Sequence, residues 1–256
     1  MTVLPSMELT SKRVGGRSMA TLLTRWHWKG YPVNAPDSRP VHPFLGLASG
    51  SETCMPWTPT RSSVTIECMG GILHVCTGNL CRSPIAERLM VAGLQSRYQG
   101  VAETVVVSSA GTSAPAGLPI HPLAAAELAK RGIDTAGFRA RLLDPEAAER
   151  ADVVLTATRR HRDRIIAGNP NLLGRVFTWR ELAWLVEGLG NTIVRGDHLT
   201  DRVRNLPRAA GLRRGYLRPP PPTEFDVKDP IGGNEQDFKE AAAEIDDAIE
   251  AILSVL

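Results

Sequence analysis

Ile72-Leu73-His74-Val75-Cys76-Thr77-Gly78-Asn79-Leu80-Cys81-Arg82-Ser83-Pro84-Ile85-Ala86-Glu87 is the stretch that sets how the rest of the chain is read. Its first five residues form the short apolar run of a buried parallel strand. Gly78 and Asn79 follow, two residue types that accept the positive φ a tight loop demands. Ser83 then suits the cap of a helix and Pro84 its first turn, with Leu89, Met90, Gly93 and Leu94 falling on one helical face. Strand, loop and helix in that order bring successive backbone N–H groups into a concave nest at a helix N-terminus, where a phosphate dianion is held.

The side chains in the loop give the nest a chemistry. Cys76 stands where the strand ends, and the field that attracts an anion also favours thiolate over thiol. Arg82, six residues on, offers a bidentate fork to two phosphoryl oxygens and stays with the charge into a transition state. Ser83 can donate a hydrogen bond to the sulfur when it leaves. Thr77, Gly78, Asn79, Leu80, Cys81 and Ser83 are the expected phosphate-binding residues, and Cys76 the expected nucleophile. A cysteine followed by arginine at this spacing is weak evidence alone; the strand before it and the helix after it give it weight.

Outward from this stretch the pattern alternates. Strands are expected at Thr104–Ser108, Asp152–Ala157 and Val176–Trp179, each followed by a helical stretch. One helix begins near His121 and stops at Lys130-Arg131-Gly132. In the last helix Phe238, Ala242, Ile245, Ile249, Ile252 and Leu256 step by four and three. This reads as an α/β three-layer sandwich, a four-stranded parallel sheet flanked by helices. Asp144-Pro145 reads as a helix start. Residues 190 to 225, rich in Arg and Pro with a proline run at 219 to 222, read as a long loop bordering a lid. Residues 1 to 68 mix Pro, Ser, Thr and Gly with isolated aromatics and show no period, which marks a poorly structured extension. The domain is expected over 69–256. Met69 directly before Gly70-Gly71 makes residues 1–68 a dispensable extension or a mis-set start.

With 43% hydrophobic residues and a net charge of +3, the chain gives no reason to expect a nucleic-acid or membrane partner. No apolar run approaches a membrane span and no signal-peptide core is visible at the N-terminus, so a cytoplasmic protein is expected. The four cysteines, Cys54, Cys68, Cys76 and Cys81, lie in the first third of the chain and form no disulfide framework. The histidines are scattered singly, so no metal site is expected. Arg159-Arg160-His161-Arg162-Asp163-Arg164 reads as a solvated helix face.

Val75 to Glu87 closely resembles the signature of the low-molecular-weight protein tyrosine phosphatases. Further matches follow in order: Ser109-Ala110-Gly111-Thr112, Gly132-Ile133-Asp134, Arg139-Ala140-Arg141, and Asp229-Pro230 before the final helix. The resemblance covers residues 70 to 256 apart from 190 to 225. It implies a metal-free, cofactor-free mechanism through a phosphocysteine, with a phosphorylated protein as substrate. It also implies that Asp229 is the general acid and base, with Asp226 as the fallback. Three departures bear on the substrate. Eukaryotic-type members carry two aromatics after Asp-Pro. This chain has Ile231-Gly232-Gly233, closer to bacterial members, some of which dephosphorylate protein arginine and carry threonine where this chain has Leu80. Apolar Leu80 is the feature of the tyrosine-specific members. Phe138 replaces a histidine expected to support the loop by a hydrogen bond, and Ala114 to Pro119 lack an aromatic wall. Phosphotyrosine hydrolysis is the first expectation and protein arginine phosphatase the alternative. Arsenate reductase of the same fold needs two further cysteines downstream, and none follows Cys81. A non-catalytic phosphate-binding module would have no use for a nucleophile together with an acid. The sequence leaves the oligomeric state open.

Overall fold

The computed structural model describes residues 70–189 and 194–256. The expected extension over 1–68, with Cys54 and Cys68, lies outside the described residues. Four strands, β1 (Gly71–Cys76), β2 (Val106–Gly111), β3 (Val153–Thr156) and β4 (Val176–Thr178), form one parallel sheet in the order β2-β1-β3-β4. Between and after them run α1 (Arg82–Arg97), α2 (Pro122–Ala129), α3 (Pro145–Arg150), α4 (Arg159–Gly168), α5 (Trp179–Val186), α6 (Leu199–Arg213) and α7 (Glu235–Leu253). β1 is internal, and all six of its residues are buried, which is why its sequence is apolar without alternation.

The pleat sorts the sheet's side chains between two cores. Ile72, Leu155 and Phe177 pack with residues of α1, α5, α6 and α7, among them Met90, Leu182, Val203 and Ile245. Leu73, Val75, Val154 and Val176 pack on the other face with Ala148 of α3 and Ile165 of α4. The result is the three-layer sandwich. Its last helix is set by Asn234, whose Oδ1 accepts from Gln236 N and Asp237 N while Asn234 N donates to Asp237 Oδ2. Asp144 caps α3 as the Asp-Pro pair predicts, accepting from Glu146 N at 3.0 Å. No described helix is long and apolar enough to cross a membrane.

Three expectations are corrected. The stretch read as a long loop is described over 194–225, and there it is not a loop: it contains α6 and a short 3-10 turn at Pro222–Phe225. Leu199, Val203, Leu206 and Ala210 step by four, three and four into the core, a stripe hidden in the sequence by the arginines around it and by Pro207 inside the helix. Arg202 fixes α6 by donating to Gly196 O and Leu256 O. The strand expected at Thr104–Ser108 begins two residues later and continues through Ser109-Ala110-Gly111, which pair with His74, Val75 and Cys76. Backbone pairing to the end of β1 prevails there over the low strand propensity of small residues. Finally, Ser83 does not cap α1. The helix begins at Arg82 with Cys81 at the cap, leaving the Ser83 hydroxyl for another partner.

Candidate active site

β1 delivers Cys76 to the end of the sheet, and the chain turns through Thr77 to Cys81 before entering α1. Asn79 takes φ +52°, among the described residues the sole non-glycine with positive φ. That conformation costs a Cβ-bearing residue on the order of 1 kcal/mol, and Asn79 offsets it with its side chain. Fully buried, it donates through Nδ2 to Ser83 Oγ (2.9 Å) and Ser109 Oγ (2.8 Å), and accepts through Oδ1 from Arg141 N (2.8 Å). The start of α1, β2 and the loop before α3 therefore meet on one amide. The support that Phe138 cannot give is supplied by Ser109 and the Arg141 backbone, while Phe138 is buried beneath the Arg88 guanidinium.

Gly111 lets these loops approach. A Cβ there would lie 2.5 Å from Thr77 O and 2.8 Å from Asn79 N. Across the gap Thr112 N donates to Cys76 O and Ser113 N to Thr77 O, both at 2.9 Å, and His121 N donates to Leu80 O at 2.8 Å. The backbone carbonyls of the turn are thus tied outward, to the loops around it.

Cys76 is 2% exposed; its Sγ lies 3.0 Å from Ser83 Oγ, and Asn79 N donates to it at 3.3 Å. Arg82 is 3% exposed. It donates through Nη1 to Val227 O (3.0 Å) and through Nη2 to Asp229 Oδ2 (2.5 Å). The Asp229 side chain is 42% exposed, and its Oδ1 accepts from Ile231 N. Arg82 and Asp229, 147 residues apart, are thus in contact. Asp226 is engaged elsewhere: Arg159 N donates to its Oδ1 at 2.6 Å and Arg159 Nη2 to its Oδ2 at 3.1 Å, tying the segment before Asp229 to the start of α4.

The neighbouring Cys81 is buried, and its thiol is pushed up by that burial, then by Cys76 and Asp229, with Arg82 opposing. Leu80 is partly buried against the main core and offers no hydrogen-bonding atom. Ile231 is 44% exposed and Leu118 48%.

His161 was not among the expected site residues. It is buried and bridges two threonines, with Nε2 2.9 Å from Thr77 Oγ1 and Nδ1 2.7 Å from Thr158 Oγ1. Burial, and secondarily Arg82, lower it to about 4. Its run of arginines disguises it as surface; the readable signal is Thr158-x-x-His161, a cap residue and the position it caps.

A family model described as low molecular weight phosphotyrosine protein phosphatase matches residues 71–185, stopping short of Asp229. The probable low molecular weight protein-tyrosine-phosphatase EpsP of Ralstonia solanacearum is 37% identical over 111 residues, covering 43% of this chain and 71% of that protein. The low molecular weight protein-tyrosine-phosphatase Wzb of Escherichia coli K12 is 35% identical over 105 residues, 41% of this chain and 66% of that one. Among solved structures, the YwlE arginine phosphatase of Geobacillus stearothermophilus aligns with a TM-score of 0.50 and 28% identity, covering 72% of this chain and 90% of that chain.

Proposed function

The chain belongs to the low-molecular-weight phosphotyrosine protein phosphatase family, and from that premise we propose that it hydrolyses phosphotyrosine on proteins with Cys76 as nucleophile. The observation that carries the reading is the surround of one sulfur. Cys76 Sγ has an N–H and a hydroxyl within 3.3 Å, and it shares the loop with a guanidinium that already touches a carboxylate.

Phosphate fits the residues present. Arg82 Nε is buried with no partner among the described residues, and a phosphoryl oxygen satisfies it. Val227 O holds one arm of the fork while the other exchanges Asp229 for the dianion. In the first step the thiolate attacks phosphorus in line, the Sγ–P bond forms and the ester P–O bond breaks. Asp229, released from Arg82 and in its acid form, gives a proton to the leaving oxygen. In the second step Asp229 takes a proton from water, the water oxygen bonds to phosphorus and the Sγ–P bond breaks. Asn79 N and Ser83 Oγ then stabilise the departing thiolate. Thr77, Gly78, Leu80 and Cys81 complete the turn that wraps the phosphate.

Leu80 favours an aryl ester, since at this position of the turn it offers no hydrogen-bonding atom. The second reading, protein arginine phosphatase, rests on the likeness to YwlE and on Ile231-Gly232-Gly233 after Asp229-Pro230. Parallel assays with phosphotyrosine, phosphoserine and phosphoarginine peptides, with Cys76→Ser as the blank, separate them. Fastest turnover of phosphotyrosine is expected; faster release from phosphoarginine moves the assignment to the second reading.

A further inference from the structure

Thr77 is held from two directions. Its carbonyl accepts from Ser113 N at 2.9 Å, and its hydroxyl meets His161 Nε2 at 2.9 Å. Asn79 braces the turn toward β2 and the loop before α3; the Thr77–His161 contact braces the opposite side toward α4. We propose that His161 is a positioning residue for the phosphate turn, its imidazole holding the Thr77 hydroxyl and so fixing the residue that follows Cys76. The inference deepens the phosphatase reading and rests on it.

The protons can be assigned. Thr158 caps α4, and its Oγ1 accepts the His161 backbone N–H at 3.4 Å. In the arrangement proposed, the Thr158 hydroxyl gives its hydrogen to Nδ1 at 2.7 Å. A neutral imidazole then carries its single hydrogen on Nε2 and donates it to Thr77 Oγ1. The threonine keeps its own hydrogen as a donor for a phosphoryl oxygen. Neutrality is enforced by burial and by Arg82 and Arg160, which outweigh Asp229 and Asp226 and lower the group to about 4. A second cation beside Arg82 would compete for Asp229; a neutral donor positions the turn without doing so.

The test is a double-mutant cycle read by calorimetric binding of inorganic phosphate and by kcat and KM for p-nitrophenyl phosphate. Thr77→Val keeps the shape of an exposed side chain and removes the hydroxyl, while His161→Ala removes the imidazole. Each is expected to weaken phosphate binding roughly fivefold, the size of one neutral hydrogen bond. The double variant is expected to lose the same roughly fivefold rather than about 25-fold. His161→Gln, whose amide reaches the same hydroxyl, is expected to recover most of the loss, with KM changing more than kcat. Multiplying losses in the double variant, or a Thr77→Val protein that binds phosphate like the parent, overturns the proposal. If His161→Ala fails to fold, Thr77→Val and His161→Gln still decide it. A parent that binds phosphate without turning over any ester sinks the phosphatase reading and leaves the coupling measurable. A parent that binds no phosphate overturns both.

Discussion

Replacing Asn79 by alanine removes three hydrogen bonds from a fully buried site and leaves Ser109 Oγ and Arg141 N without those partners. At about 1 kcal/mol net for each bond, the loss is about 3 kcal/mol. The backbone strain at φ +52° is common to asparagine and alanine and adds nothing to the difference. The expected destabilisation is therefore about 3 kcal/mol, a large part of the roughly 5–15 kcal/mol that a domain holds. In urea, with a slope of about 2 kcal/mol per molar, the midpoint falls by about 1.5 M. Asn79→Gly loses the same bonds without the left-handed strain and should recover about 1 kcal/mol. Because Asn79 N also donates to Cys76 Sγ, a relaxed turn moves the sulfur as well, and kcat/KM for p-nitrophenyl phosphate is expected to fall by about two orders of magnitude. Equilibrium unfolding of the two variants beside the parent, followed by steady-state kinetics, measures both effects. An Asn79→Ala protein within 1 kcal/mol of the parent and with unchanged kcat/KM would refute the claim that this amide holds the site together.

Two further outcomes follow from the same structure. His74 is fully buried, accepts the Trp179 Nε1–H at Nδ1, and is lowered by burial to about 3, while His161 is lowered to about 4. Both bind protons more readily in the unfolded chain, near pH 6.5, so their contribution is complete above that pH and is lost as pH falls toward the folded values. Stability is expected to drop by about 4 kcal/mol between pH 7 and pH 5, with His121, also lowered by burial, acting in the same direction; urea unfolding at the two pH values that agrees within 1 kcal/mol would contradict this. Cys81, a free cysteine near enough to Cys76 to feel its charge, is expected to capture an oxidised Cys76 as a disulfide, the Cys76 sulfenic acid condensing with the Cys81 thiol and releasing water. Cys81→Ser should then lose activity to peroxide faster than the parent and recover less with dithiothreitol, and equal inactivation and recovery would end the idea.

How far the sequence could be read depended on how local each requirement was. Cys76 to Arg82 was legible because a strand end, a positive-φ residue and a helix start are all demands on one short stretch. Ser109-Ala110-Gly111-Thr112 and Arg139 to Arg141 were visible as matches without a physical role. Their role appears only where β2 and the loop before α3 converge on Asn79. The contact of Arg82 with Asp229 spans 147 residues, and no spacing rule reaches that far. Asp226, equally acidic and three residues away, is distinguished only by its bonds to Arg159. Helix α6 escaped because arginine flanks a narrow apolar stripe and Pro207 interrupts the expected pattern, though its N lies within a helix anchored at both ends by burial of Leu199 and Ala210. His161 escaped because a lone histidine among arginines carries no pattern of its own. Only its threonine cap hinted that it turns inward.

The central claim is that phosphate passes through Cys76, and the most direct test is to catch it there. Asp229→Ala protein is mixed rapidly with an aryl phosphate, a good leaving group that needs little help from the acid, then denatured and digested for mass spectrometry. Phosphate on the sulfur of the peptide carrying Cys76, absent when Cys76→Ser is treated alike, is the predicted result. Undiminished turnover by Cys76→Ser, or label only on another residue, would contradict it.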